Sequence, residues 1–178
     1  GADGAYRGTD PGTAPGYLNV VHDIIVDAEG WVYIADRENH RIQVFDCNGN
    51  YQAQWINSSR AACICMGEGP DPLFYVGEYF AGIKPNSTGT NLGPRVTVLD
   101  GKGTVKARLS DDSYGDEPGR FYAPHGIAVD SRGDIYVAEV AWSEYGRLME
   151  PPRELRSMVD GLKKKLGSCV CAIVTVKD

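Results

Sequence analysis

The sequence predicts an all-β chain made of repeated four-stranded antiparallel units, and three observations lead there. Residues 22–36, HDIIVDAEGWVYIAD, and residues 125–139, HGIAVDSRGDIYVAE, align without a gap. Short apolar runs alternate with polar residues at period 2, the spacing of a half-buried strand. Glycine (22) and proline (10) are abundant in 178 residues, which favours many turns over long helices.

Each copy of the repeat reads as a hairpin. Ile24 to Val26 and Trp31 to Ala35 flank a turn at Gly30, and Ile127 to Val129 and Ile135 to Ala138 flank one at Gly133. Glycine supplies the positive φ that such turns need. After the first copy, Arg41 to Phe45 alternates polar and apolar side chains, Asp46-Cys-Asn-Gly49 turns the chain, and Tyr51 to Trp55 supplies a fourth strand. That completes one unit.

A second, more degenerate unit takes Cys63 to Met66, Leu73 to Val76, Arg95 to Leu99 and Thr104 to Leu109 as its strands, with a turn at Asp100-Gly-Lys-Gly103. Residues 80–94, rich in Gly, Pro, Asn and Thr, read as a long loop of the kind that carries recognition on a rigid scaffold. The third unit starts near Phe121. Its outer half contains Leu155, Met158, Val159 and Leu162 at helical spacing, which predicts a short helix over 153–166, and then a strand over 169–176. The whole chain, 1–178, is expected to be one domain with units at roughly 20–56, 60–110 and 121–178.

Net charge is −6, and the basic residues are scattered except at Lys163 to Lys165, so no stripe exists to neutralise phosphates and nucleic acid is not the expected partner. No apolar run approaches the roughly 20 residues that cross a bilayer, and residues 1–20 lack a basic start followed by an apolar stretch, so the expectation is a soluble chain with its compartment left open. Asn57-Ser-Ser59 and Asn86-Ser-Thr88 are glycosylation sequons that count only in an exported protein. Five cysteines, at 47, 63, 65, 169 and 171, leave one unpaired within a monomer. Zinc sites more often use Cys-x2-Cys than the Cys-x-Cys spacing seen twice here. On a strand, residues i and i+2 face the same side, so the pairs read as small thiols packed into a core.

The segment Ala35 to Asp46, ADRENHRIQVFD, preceded by His22-Asp-Ile-Ile-Val-Asp27, resembles an NHL repeat, and Phe121 to Asp130, FYAPHGIAVD, resembles the start of another. The resemblance covers roughly residues 16–145 and implies an NHL-type β-propeller of about three four-stranded blades, a partial or half propeller. Propellers typically close with four to eight blades, so three require further blades, from a longer chain or from identical chains that meet, and open blade edges invite self-association.

Within the same superfamily the chain is similar to the peptidyl-α-hydroxyglycine α-amidating lyase, a six-bladed propeller with a catalytic zinc on three histidines. That likeness makes His22 and His125 the candidate metal ligands, with zinc the implied cofactor. They lie 103 positions apart, about two blades. The chain departs from the lyase where the third histidine and the catalytic Tyr and Arg would fall, and at Ala123 and Gly126, where the lyase has Met and a calcium-binding Asp. The alternative for both histidines is a hydrogen-bonded residue lining the channel. His40, in a turn, is a weaker ligand candidate.

Arg60, Arg95 and Tyr79 are candidate ligand-binding residues, the arginines as anchors for an anion at the channel mouth, with surface salt bridging as their alternative. Asp36 and Glu139 sit at matching positions and are expected to fix loops rather than move protons. Tyr75, Tyr79, Tyr136, Trp142 and Tyr145 read either as packing between sheets or as an aromatic rim. Three functions follow from these readings. The first is a binding or scaffold module for a protein, peptide or glycan. The second is a zinc-dependent lyase or hydrolase active only in a completed ring, and the third is a self-assembling structural protein. Whether the chain is an enzyme stays open.

Overall fold

The hairpins are set by one local device used four times. Asp27, Asp46, Asp100 and Asp130 each accept, on one carboxylate oxygen, the backbone N–H groups two and four residues on. The carbonyl of each accepts from the glycine three residues on, and Gly30, Gly49, Gly103 and Gly133 all have positive φ, between 77° and 88°. A short acceptor side chain and a residue without Cβ are what such a turn requires. The bonds favour the ionised acid: Asn50 holds Asp46, and Lys106 holds Asp100, below the usual carboxylate range. At Asp130 desolvation acts the other way, and the N–H groups of Asp134 and Arg132 outweigh it.

A computed structural model describes residues 14–56, 58–79, 93–110, 115 and 118–140. They form ten strands and one 3-10 turn. The first sheet contains β1 (Val21–Val26), β2 (Val32–Asp36), β3 (Arg41–Phe45) and β4 (Tyr51–Trp55), antiparallel in that order, with the 3-10 turn Arg37–Asn39 between β2 and β3. The second contains β5 (Arg60–Met66), β6 (Phe74–Tyr79), β7 (Arg95–Leu99) and β8 (Val105–Leu109). The third pairs β9 (Pro124–Val129) with β10 (Ile135–Glu139). Two complete blades and the inner hairpin of another therefore lie side by side, as in part of a propeller. Among the described residues no helix is long and apolar enough to cross a membrane.

The main core lies between the first two sheets. Tyr33, Ala35, Ile42, Val44 and Trp55 of the first meet Ala61, Ile64, Phe74, Val76 and Leu99 of the second. The Phe74 ring sits 4.6 Å from Tyr33 and 5.0 Å from Trp55, tilted on the one and edge-on to the other, the arrangements favoured by the aromatic quadrupole. Gly103 lies so close under the Trp55 indole that a Cβ there would come within 2.3 Å of it. Gly77 plays the same part at the next joint, where a Cβ would meet Cys63 Sγ at 2.3 Å and Pro124 at 3.2 Å. Cys63 is buried in this contact, and burial pushes its thiol up to about 12, so it packs as an apolar group.

The inner strands start earlier than the periodicity predicts: β1 at Val21, β5 at Arg60 and β9 at Pro124. Each carries a register shift near its start, at His22, Ala62 and His125 respectively. The extra residue breaks the alternation that marks a strand in sequence. β6 likewise runs on to Tyr79, three residues past the expected end. The helix expected over 153–166, the strand over 169–176, Cys169, Cys171, Trp142, Tyr145, most of the 80–94 loop and both sequon asparagines lie outside the described residues.

Candidate binding site at the ends of the inner strands

The three bulges put His22, Ala62 and His125 at one register position on three successive blades. Inner strands of neighbouring blades converge, so side chains at the bulge meet at their starts. The His22 and His125 rings stand 5.3 Å apart, centre to centre, at 61°. Between them in blade order is Ala62, buried and no larger than a methyl group. Small size at that position is what lets imidazoles from alternate blades touch.

Around this pair lies a cation-rich shell. The Tyr79 ring, at the end of β6, is 6.4 Å from His125, and the guanidinium carbons of Arg37 and Arg60 stand 5.7 and 5.3 Å from its centre. Both separations are within cation–π range. Glu38 is buried in the 3-10 turn and accepts from Arg37 Nε at 2.6 Å, from Arg60 Nε at 3.1 Å and from Arg60 Nη2. One carboxylate thus lies between two guanidiniums.

The protonation state of His22 follows from its bonds. Arg37 Nη1, which can only donate, lies against His22 Nε2, so Nε2 accepts and Nδ1–H donates to the Val20 carbonyl at 3.2 Å. Burial lowers the His22 pKa from its ordinary value, and the charge of Arg37 lowers it further. The ring is neutral at neutral pH.

A second repeated arrangement anchors the chain as it enters each inner strand. Asp36 and Glu139 end β2 and β10, Glu78 is the penultimate residue of β6, and all three are buried. Asp36 accepts the N–H of Asn19, Glu78 that of Ser59, and Glu139 those of Tyr122 and Ala123. Arg41 pairs with Asp36 at 2.7 Å and Arg95 with Glu78 at 2.9 Å, each arginine directly opposite its acid in the ladder. Asp36 and Glu139 thus fix loops.

The structure brings four of the sequence candidates together or adjacent: His22, His125, Tyr79 and Arg60. It sets Arg95 inside the second blade, 3% exposed and bonded to Glu78, rather than on an open mouth. Arg60 is also buried, not a surface salt bridge. His40 closes the 3-10 turn in a left-handed conformation. Sequence reasoning missed Arg37, Glu38 and Ala62. The bulge alignment would have singled out Ala62; Arg37 and Glu38 act across 15 and 22 positions, which no local pattern records.

An NHL repeat family model matches residues 18–45 and 121–144, and each match contains one of the paired histidines. This chain belongs to the NHL-repeat family. NHL repeat-containing protein 3 of Mus musculus is 30% identical to it over 136 residues, and the protein of the same name from Homo sapiens 32% over 136 residues. Each alignment covers 72% of this chain and 35% of the relative, so the chain spans about a third of the length of the curated relatives it matches.

The lyase likeness implies a zinc ion held by the two bulge histidines. Zinc in proteins takes at least three protein ligands in catalytic sites and four in structural ones. Among the described residues no group of three His, Cys, Asp or Glu side chains is placed to hold a metal ion. A guanidinium also occupies the His22 lone pair. The described residues of one chain do not make a zinc site.

Proposed function

We propose that this NHL propeller segment is a binding module whose ligand, a peptide or protein segment bearing a carboxylate, docks at the starts of the inner strands. The observation that carries the reading is the convergence of His22, His125, Tyr79, Arg37 and Arg60 at the starts of the inner strands. Arg37 is the most accessible cation of the group, with a side chain 17% exposed, and His125 is exposed beside it. A guanidinium fork recognises a carboxylate through paired hydrogen bonds, and His125 adds a ring nitrogen that can donate. NHL propellers typically serve as interaction scaffolds, which agrees with a docking role for this site.

The test is titration with the Ala-Glu-Glu-Ala peptide, acetylated and amidated at its ends, and its Gln counterpart, followed by calorimetry. The Glu peptide should bind and the Gln peptide should not, and Arg37→Ala or His125→Ala should abolish the difference. Equal binding of both peptides, no binding of either, or binding indifferent to both substitutions would overturn the reading.

A second reading rests on the 5.3 Å approach of the two imidazoles. In a completed ring, ligands from further blades would join His22 and His125 to hold a zinc ion, as the lyase or hydrolase reading requires. Equilibrium dialysis against zinc decides it. Stoichiometric uptake lost in His125→Ala supports this reading, and no uptake refutes it.

A further inference from the structure

The first two blades enclose a cleft of about 830 Å³ between their hairpin turns, at the opposite end of the inner strands from the two histidines. Ligand pockets commonly span about 300–1,000 Å³. Residues 27–31 of the first blade form one wall, and residues 67–72 and 100–102 of the second form the other. Both walls therefore come from adjacent blades of this chain, and β6 and β8 run away from these turns towards the other end.

One of the turns departs from the repeat. The inner hairpins of the first and third blades turn over five residues, 27–31 and 130–134, on a self-bonded aspartate. That of the second blade takes seven, 67–73, with Pro70 and Pro72 and no such aspartate. Proline fixes φ, so this wall is stiff. Glu68 and Asp71 stand exposed on it.

The cleft has an aromatic floor. Tyr33 and Phe74 are buried there and Met66 is half-buried, whereas Trp31 is 39% exposed. Trp31 precedes Tyr33 by two residues, which puts both on the side of the sheet that faces the second blade. Its backbone N–H donates to Asp27 Oδ1 at 2.8 Å, so the turn holds it in place. Five carboxylates line the cleft against one lysine. Asp27 and Asp100 are engaged by their own turns, and Asp100 also pairs with Lys106 at 2.9 Å. Among the described residues Glu29, Glu68 and Asp71 have neither an ion pair nor a side-chain hydrogen bond. Like charges gathered around an apolar floor repel one another, and a bound cation relieves that repulsion.

We propose that this cleft is a second binding site, which takes an arginine side chain from a basic peptide segment of a partner protein. The guanidinium stacks on the face of the Trp31 indole and donates to the carboxylates of Glu29, Glu68 and Asp71. Arginine suits the cleft better than lysine, because a planar and weakly hydrated cation can stack and donate as a fork at the same time.

The probe is the peptide Ala-Arg-Arg-Ala, acetylated and amidated at its ends, with its Lys and Gln counterparts, titrated into the full chain. Read by NMR at the Trp31 indole N–H, the Arg peptide should give saturable shifts and the Gln peptide none. By calorimetry the Lys peptide should bind about tenfold more weakly than the Arg peptide. Trp31→Ala, and Glu68→Gln combined with Asp71→Asn, should each weaken the Arg peptide by about tenfold. The circular dichroism spectrum should stay unchanged in both variants, because these side chains already meet solvent. Equal binding of the Arg and Gln peptides, or of the Arg and Lys peptides, overturns the proposal. So do shifts that spread over the exposed acids and leave Trp31 unmoved, and so does an affinity indifferent to either variant.

Discussion

His22 and His125, 103 positions apart in the chain, stand with their rings 5.3 Å apart because each is the bulged residue of an inner strand. A bulge adds a residue without a ladder partner and re-aims its side chain. Repeating it at one register position on alternate blades brings the two imidazoles together, with Ala62 on the intervening strand. Their approach is thus a property of the repeat, and the cluster around Tyr79 is built on it.

Ala62 must stay small. Ala62→Leu is expected to overpack the junction of three inner strands and cost about 1–3 kcal/mol. Chemical denaturation should show the loss, and the ring resonances of His22 and His125 should shift. An unchanged midpoint would show that the bulge leaves spare room.

Burial, and then Arg37, keep His22 neutral. Since burial and the adjacent guanidinium both lower its pKa, Arg37→Ala is expected to raise it towards the ordinary value. Histidine ring proton NMR across pH 4–8 reads this directly. A lowered folded pKa means that the ring gains no stabilisation by protonation in the folded state, so acidification through the ordinary histidine range should weaken the fold in the wild type and weaken it less in the variant.

Glu139 supplies a second pH dependence with the same physical origin and a different sign. Burial raises its pKa to about 7, against the N–H groups of Tyr122 and Ala123, which favour the charged form. The folded state therefore holds a proton that the unfolded chain has released between about pH 4.5 and pH 7. This contribution to stability is present at the acid end of that window and is lost as pH rises through it. Glu139→Gln, which keeps an acceptor oxygen, should flatten this part of the profile and raise stability above pH 7 by up to about 3 kcal/mol. Thermal melts at pH 5 and pH 8 check it.

Gly103 has two reasons to resist substitution. A Cβ would collide with the Trp55 ring at 2.3 Å, and its φ of 77° disfavours any L side chain. Gly103→Ala should cost several kcal/mol, roughly the backbone penalty of 1–2 kcal/mol plus overpacking of 1–3 kcal/mol. Gly133→Ala, at φ 85° with nothing within 4 Å, should cost only the backbone part. Tryptophan fluorescence should move in the first variant alone.

Much of the blade pattern was legible in the sequence, because Arg41–Phe45, Tyr51–Trp55 and Arg95–Leu99 alternate cleanly and are bounded by Asp-x-x-Gly turns. The inner strands were read short since the bulges at His22, Ala62 and His125 interrupt the period. Their histidines were visible through the repeat, yet the cluster's chemistry was not. Arg37 and Glu38 look like an ordinary charged turn until folding carries them to Tyr79 and Arg60. Arg95 has the composition of a surface cation, and only its ladder position opposite Glu78 shows that it belongs to a buried pair.

Chemical-shift mapping with the Ala-Glu-Glu-Ala peptide decides whether ligands meet this propeller segment at the inner-strand starts. Docking there should give saturable shifts at His22, Arg37, Tyr79 and His125, with the turns at Asp27 and Asp100 at the far ends of the strands unmoved. Shifts centred on those turns, or none at His22 and His125, would contradict it.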